Sequence, residues 1–287
     1  MLDYIILTDS GSDLTIEQAK ELDISIIDLS LLVEGDVPRK NRDVDAKEFY
    51  AQLRDKKSAS TSAVNLQDFL LEMQEHIDAG KDILYIGFSS GLSSTFSAGH
   101  QAAQELAEIH TDRKIYAVDT LCASLGQGLI VYLAAKMRLD GKSIDEVKAF
   151  VEQNRLNLCH WFTVDDLFFL KRGGRVSGAA AVAGTMLGIK PVMHVDNAGK
   201  LVKVTTVRGR RASIDALAAK VGETGIDPSE QTMFICHGDC EADAKYLADK
   251  LKADYGVKEV IIGYTGVVIG SHSGPGTLAL FYLGTER

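Results

Sequence analysis

Cysteine is scarce in this chain, and what there is does not pair. Of 287 residues four are cysteine, Cys122, Cys159, Cys236 and Cys240, and no two stand in a C-x-x-C spacing. That excludes a zinc knuckle or a thioredoxin-like dithiol and fits a reducing, cytoplasmic setting. Cys236, His237 and Cys240 lie near one another at the end of a strand-like TMFICHG, but a second ligand pair is missing, so no metal is expected there. Basic residues are outnumbered, 31 Lys and Arg against 40 Asp and Glu, and the formal charge of −9 disfavours broad binding of nucleic acid, whose phosphates are held by Lys and Arg. Long apolar runs are also lacking: the longest bland one, GAAAVAGTMLGI at 178–189, is too short to cross a bilayer. The start, MLDYIILTDSGSD, has Asp3 within its apolar stretch and no basic lead, so it reads as a first strand rather than a signal peptide. There is no P-loop lysine, no proline-rich or glycine-serine linker and no internal repeat.

What is present is a chain that is 46% hydrophobic, enough to bury one large core or two medium ones. Strand signals at 4–9, 24–33, 82–88 and 114–119 alternate with helical patterns at about 45–56, 66–79, 94–109 and 121–139, most of them opening beside Ser, Thr, Asp or Asn. This rhythm predicts an α/β protein with a mainly parallel, doubly wound N-terminal sheet. After a helix near 143–155 the pattern changes. HWFTV, KPVMHVD and KLVKVTTV read as strands, the last two joined by NAG as a hairpin, and helices near 210–221 and 241–252 alternate with TMFICHG and EVIIGYTG. The expectation is a second, α+β domain, with residues 1–157 and 158–287 as the two units and a ligand between them.

Polar clusters fall at the expected strand ends, where an open α/β sheet offers a crevice: TDSGSD at 8–13, SASTSAVN at 58–65, SSGLSST at 89–95 and VDT at 118–120. Such residues commonly cap helices and turns, yet hydroxyls and exposed N–H groups at a helix start also bind a carboxylate or phosphate. Gly87, Ser89 and Gly91 also match the G-x-S-x-G of a hydrolase nucleophile elbow, and Ser89, Asp239 and His272 follow in the chain order of α/β-hydrolases. Against that, the helix pattern starts at about Ser93 or Ser94, several residues past Ser89. RGRR at 208–211 suggests a DNA contact only weakly in so acidic a chain. In the second half, FTVDDLFFLKRGGRVSG at 162–178 ends on a basic, glycine-broken turn, and IGSHSGPGTLAL at 269–280 sets His272 among glycines that permit close approach of a ligand.

Six of these stretches in order, TDSGSD, TSAVN, SSGLSST, VDT, VDDLFFLKRGGRVS and IGSHSGPG, resemble the DegV family of bacterial fatty-acid-binding proteins nearly end to end. The resemblance implies a long-chain fatty acid in an apolar tunnel between two α/β domains, presented to a separate fatty acid kinase that makes the acyl-phosphate from ATP. Exogenous fatty acid would so enter phospholipid synthesis. It implies a carrier without its own catalytic centre or cofactor, binding no nucleic acid and compatible with transient contact at a membrane surface. The family's carboxylate ligands fall on Thr61 and Ser62, on Ser93 and the backbone N–H of Ser94, and on His272 with its neighbour Ser273. Arg172 is similar to the position that meets kinase or phosphate, with Arg208 and Arg210 as weaker candidates. The family's T-S-Q-P is here Thr61, Ser62, Ala63 and Val64, which removes a stiffening proline, and its H-T-G-P-G carries Ser273 for threonine. The segment at 178–189, small on all faces with Met186 and Leu187, would suit the wall of an acyl tunnel.

Overall fold

A computed structural model describes residues 4–176 and 188–287; the expected tunnel segment at 178–189 lies almost wholly outside the described residues. In chain order the first part comprises β1 (Tyr4–Asp9), α1 (Ile16–Glu21), β2 (Ile24–Ile27), β3 (Ser30–Val33), β4 (Arg39–Lys40), α2 (Ala46–Arg54), β5 (Ala59–Ser62), α3 (Leu66–Asp78), β6 (Asp82–Gly87), α4 (Thr95–Ile109), β7 (Ile115–Asp119), α5 (Leu125–Leu139) and α6 (Ile144–Asn154). The second comprises β8 (Leu158–Thr163), α7 (Phe168–Arg172), β9 (Ile189–Val195), β10 (Leu201–Arg208), α8 (Arg210–Thr224), β11 (Thr232–His237), α9 (Glu241–Tyr255), β12 (Glu259–Tyr264), α10 (Val267–Ser273) and β13 (Leu278–Leu283).

The fold is α/β, with a parallel sheet in the order β2-β1-β6-β7 and a second sheet in the order β10-β9-β8-β13-β11-β12. In the first sheet every neighbour is parallel, so its strands are buried on both faces and read as continuous apolar runs: Ile5, Ile6 and Leu7 of β1 and Ile83, Leu84 and Tyr85 of β6 are fully buried. The second sheet is antiparallel apart from β11 beside β12. Helix starts follow local chemistry. Asp45 and Asn65 accept from the third backbone N–H of α2 and α3, and Ser143 forms a capping box with Glu146 at α6.

Two expectations are corrected. The single strand predicted over 24–33 is two strands in different sheets, because the chain turns at Asp28 and Leu29. There the Arg42 guanidinium bonds Asp28 at 2.8 Å, and the Leu29 N–H donates to Ser10 Oγ at 3.0 Å. β3 then builds a small sheet, β4-β3-β5, in which Leu31 of β3 pairs with Thr61 of β5. The helix predicted over 121–139 begins only at Leu125, since Leu121 and Ser124 hold φ of 53° and 55°, outside the helical region. His272, set among glycines in the sequence, sits on the helix α10. Unforeseen elements include β5, α10 and β13, the last inserted between β8 and β11.

Candidate functional site

The order β2-β1-β6-β7 places the chain's reversal between β1 and β6, and an open parallel sheet offers a crevice beyond the carboxyl ends of its strands at such a point. A cavity of about 300 Å³ opens there, closed on its far side by the second sheet. The segment after β6 supplies Phe88, Leu92, Ser93 and Ser94, and that after β7 supplies Ala123 and Ser124. The second sheet contributes His160 and Phe162 of β8, Cys236 of β11 and Ala279 and Phe281 of β13. β5 brings Thr61, the loop after α7 brings Arg175, and α10 brings Val268, Ile269, His272 and Ser273. The walls are mostly apolar, with a few convergent polar groups, the usual make-up of a small-molecule site.

Most of those polar groups meet at one end. Thr61 Oγ1 and His272 Nε2, 211 positions apart in the chain, lie 2.8 Å from each other. Burial, with the Arg175 and Arg172 guanidiniums adding to it, pushes the His272 pKa down from 6.5 to about 4, so the ring is neutral at pH 7. Ser93 Oγ lies 2.9 Å from Thr95 Oγ1 and accepts from the Thr95 N–H at 3.2 Å, where α4 begins. Ser273 Oγ is buried and has no hydrogen-bond partner among the described residues. Arg175 is half-buried, and its guanidinium donates to the carbonyls of Leu92 and Gly173; loss of water around it lowers its pKa. The end therefore offers hydroxyls, a neutral imidazole and one guanidinium, a set able to hold an anion by directed donors.

Two motifs far apart in sequence are fitted together here by glycine. A Cβ at Gly173 would stand 2.4 Å from His272 Nδ1, and one at Gly274, where φ is +80°, would stand 2.5 Å from the Phe169 ring. Only the absence of side chains lets KRGGR and HSGPG approach this closely.

A family model described as "Uncharacterised protein, DegV family" matches residues 4–285. The chain belongs to the DegV family. A DegV domain-containing protein of Clostridium perfringens is 44% identical, covering 100% of this chain and 99% of its own. Among solved structures, a DegV family protein of Thermus thermophilus described for its fatty acid binding is 27% identical with a TM-score of 0.86, covering 98% of this chain and 99% of that one. DegV of Bacillus subtilis, described as a fatty acid binding protein, is 26% identical with a TM-score of 0.83, covering 99% of this chain and 100% of that one.

Of the residues picked out from the sequence, Thr61, Ser93, Ser94, His272 and Ser273 line the cavity together. Ser62 does not: it follows Thr61 on β5, so its side chain leaves by the opposite face and is exposed. Arg172 is exposed at the end of α7, its guanidinium 4.9 Å from the centre of the Phe169 ring. Arg208 is exposed at the end of β10. Arg210 is committed elsewhere, 2.8 Å from Asp243 and 3.7 Å from Asp165. The hydrolase alternative finds no triad. Ser89 is fully buried and donates to the Gly199 carbonyl at 2.8 Å, Asp239 pairs with Arg54, and the His272 Nε2 is engaged by Thr61. The sequence reading missed Arg175, three positions beyond Arg172 in a motif already quoted, and His160, which the period of two along β8 puts on the same face as Phe162. His160 Nδ1 lies 3.0 Å from the Leu158 carbonyl, which only accepts, so Nδ1 carries the proton and burial keeps the ring neutral.

Proposed function

We propose that this chain binds one long-chain fatty acid, with the acyl tail along the apolar walls and the carboxylate at the Thr61–His272 end. The observation that carries the reading is that end itself: hydroxyls and a neutral imidazole gathered beside a half-buried guanidinium at one end of a mostly apolar cavity. With His272 donating from Nε2, the Thr61 hydroxyl is free to donate in turn to a carboxylate oxygen. Ser93, Ser273 and the Ser94 N–H complete the cradle, and the partial positive charge at the start of α4 favours the anion. Each buried methylene contributes about 0.8 kcal/mol, so about fifteen supply roughly 12 kcal/mol before ordering costs. The tail gives affinity and the polar end fixes orientation. The likeness to DegV family proteins described as fatty acid binding supports the same ligand class.

The finer role is inferred from the resemblance to the DegV family. The carrier has no catalytic centre of its own and presents the carboxylate to a separate fatty acid kinase, feeding exogenous acid into phospholipid synthesis. Arg172, exposed beside the site, meets the kinase or the arriving phosphate, with Arg208 a weaker candidate. Residues 1–157 and 158–287 act as the two domains that enclose the ligand, in the cytoplasm, with transient membrane contact during loading. The test is the lipid. Purified protein should yield a fatty acid on extraction and mass spectrometry, and Thr61→Ala with Ser93→Ala should retain less of it. Lipid-free protein that takes up no added fatty acid would overturn the proposal.

A further inference from the structure

The TDSGSD motif has no part in the carboxylate end, yet it backs the cavity wall elsewhere. Asp13, at its end, accepts the Ser124 hydroxyl at Oδ2, and Ser124 Oγ lies 3.3 Å from Cys236 Sγ, which also receives the Thr265 hydroxyl at 3.1 Å. Behind this cluster is an open groove of about 550 Å³ lined by Asp13. The residues alternate between the two spaces: Ser124 faces the cavity and Leu125 the groove, Thr265 the cavity and Gly266 the groove, Val268 the cavity and Val267 the groove. Ser124 and Thr265 on the cavity side, with Asp13 behind Ser124 on the groove side, thus form a thin polar partition. It stands at the opening of α10, the opposite end of that seven-residue helix from His272 and Ser273 at the carboxylate end.

Two of the three residues of the partition are held in backbone conformations that side chains seldom adopt, Asp13 at φ 55° and Ser124 at φ 55°. Such strain persists only where surrounding structure imposes it. A hydroxyl facing an acyl chain, with a carboxyl behind it, forgoes apolar contact, whereas the groove beyond has apolar wall from Leu14, Ile16, Leu125, Ile261, Ile262 and Val267. The geometry points to the Asp13–Ser124 pair as a polar stop that keeps the acyl chain out of the groove and so limits the chain length accepted. This rests on the fatty acid reading above.

Glycine tests it without disturbing the fold, because both positions already hold glycine-favoured φ. Asp13→Gly and Ser124→Gly, each checked by thermal unfolding, are titrated with saturated fatty acids of increasing length, beside the unaltered protein and Glu17→Ala, a groove residue outside the partition. The expected result is that affinity for acids longer than the natural limit improves in both glycine variants, by roughly tenfold for each two methylenes that enter the groove. Glu17→Ala keeps the natural limit. A limit unchanged in folded glycine variants that bind shorter acids normally overturns the stop while leaving the carrier reading intact. Failure of the unaltered protein to bind any acid overturns both.

Discussion

Thr61→Val removes one hydroxyl from the carboxylate end and almost nothing else. Valine has the shape of threonine and suits β5, so the pairing of Thr61 with Leu31 and the strand itself should persist. What is lost is the 2.8 Å contact to His272 Nε2 and, on the proposed geometry, a hydrogen bond to the bound carboxylate. A hydrogen bond to a charged group is worth about 1.5–3 kcal/mol, which weakens Kd by roughly 10- to 100-fold. Displacement of a fluorescent fatty acid measures this directly. The decisive comparison uses the fatty alcohol of the same chain length, which keeps the tail and lacks the carboxylate. If Thr61 acts on the head group, the acid weakens in Thr61→Val and the alcohol barely changes. Equal losses for both, or no loss for the acid in a folded variant, would refute the assignment.

Two further outcomes follow from the same contacts. Gly173→Ala places a methyl 2.4 Å from His272 Nδ1, so the ring must shift; fatty acid affinity should fall at least as far as in Thr61→Val, and a normal titration would show that the approach of the two motifs does not matter to the ligand. Stability should tilt with pH in opposite senses in two variants. Burial raises the Asp13 pKa from 3.8 to about 7, with Asp9 nearby adding to it, so its contribution is present below pH 4 and lost as pH rises through 7. His272, lowered from 6.5 to about 4, contributes above pH 6.5 and loses that as pH falls through 4. Each amounts to on the order of 2 kcal/mol for a half-buried group, so denaturant melts of Asp13→Asn should gain on the unaltered protein as pH rises from 4 to 7, and those of His272→Gln should gain as pH falls. Parallel profiles would show that neither group is coupled to folding.

The parallel sheet was legible because its strands are buried on both faces, and runs such as YIILTD and DILYIG announce that without help from the rest of the chain. Helix starts were legible where Asp45, Asn65 or Ser143 supplied a local cap. Errors came where a distant residue decides. Asp28 ends β2 because Arg42, 14 positions on, holds it, and α5 starts late because Ser124 reaches back to Asp13 across 111 positions. LALFYL looks like any apolar strand, and nothing local says that it enters between β8 and β11. The residue types of the site could be read from its motifs, but periodicity along KRGG does not tell that Arg175, and not Arg172, reaches the cavity, since Gly174 turns the chain at φ +72° between them.

The charge balance of the site then has a simple physical reading. In a chain of net charge −9 a carboxylate is repelled at long range, so it must be won at short range by donors already in place. Burial lowers the pKa of both His272 and Arg175, the same cost of keeping positive charge away from water expressed twice. An anion seated between them relieves both. It gives the Arg175 guanidinium a counter-charge, and it raises the His272 pKa from about 4 toward its ordinary value. Ligand binding and protein stability are therefore linked: a bound fatty acid should raise Tm by an amount that grows with the logarithm of its concentration over Kd. Because that relief is electrostatic, an uncharged ester of the same chain should stabilise the fold less than the acid does. Because it is short-ranged and buried, added salt should leave the difference largely intact.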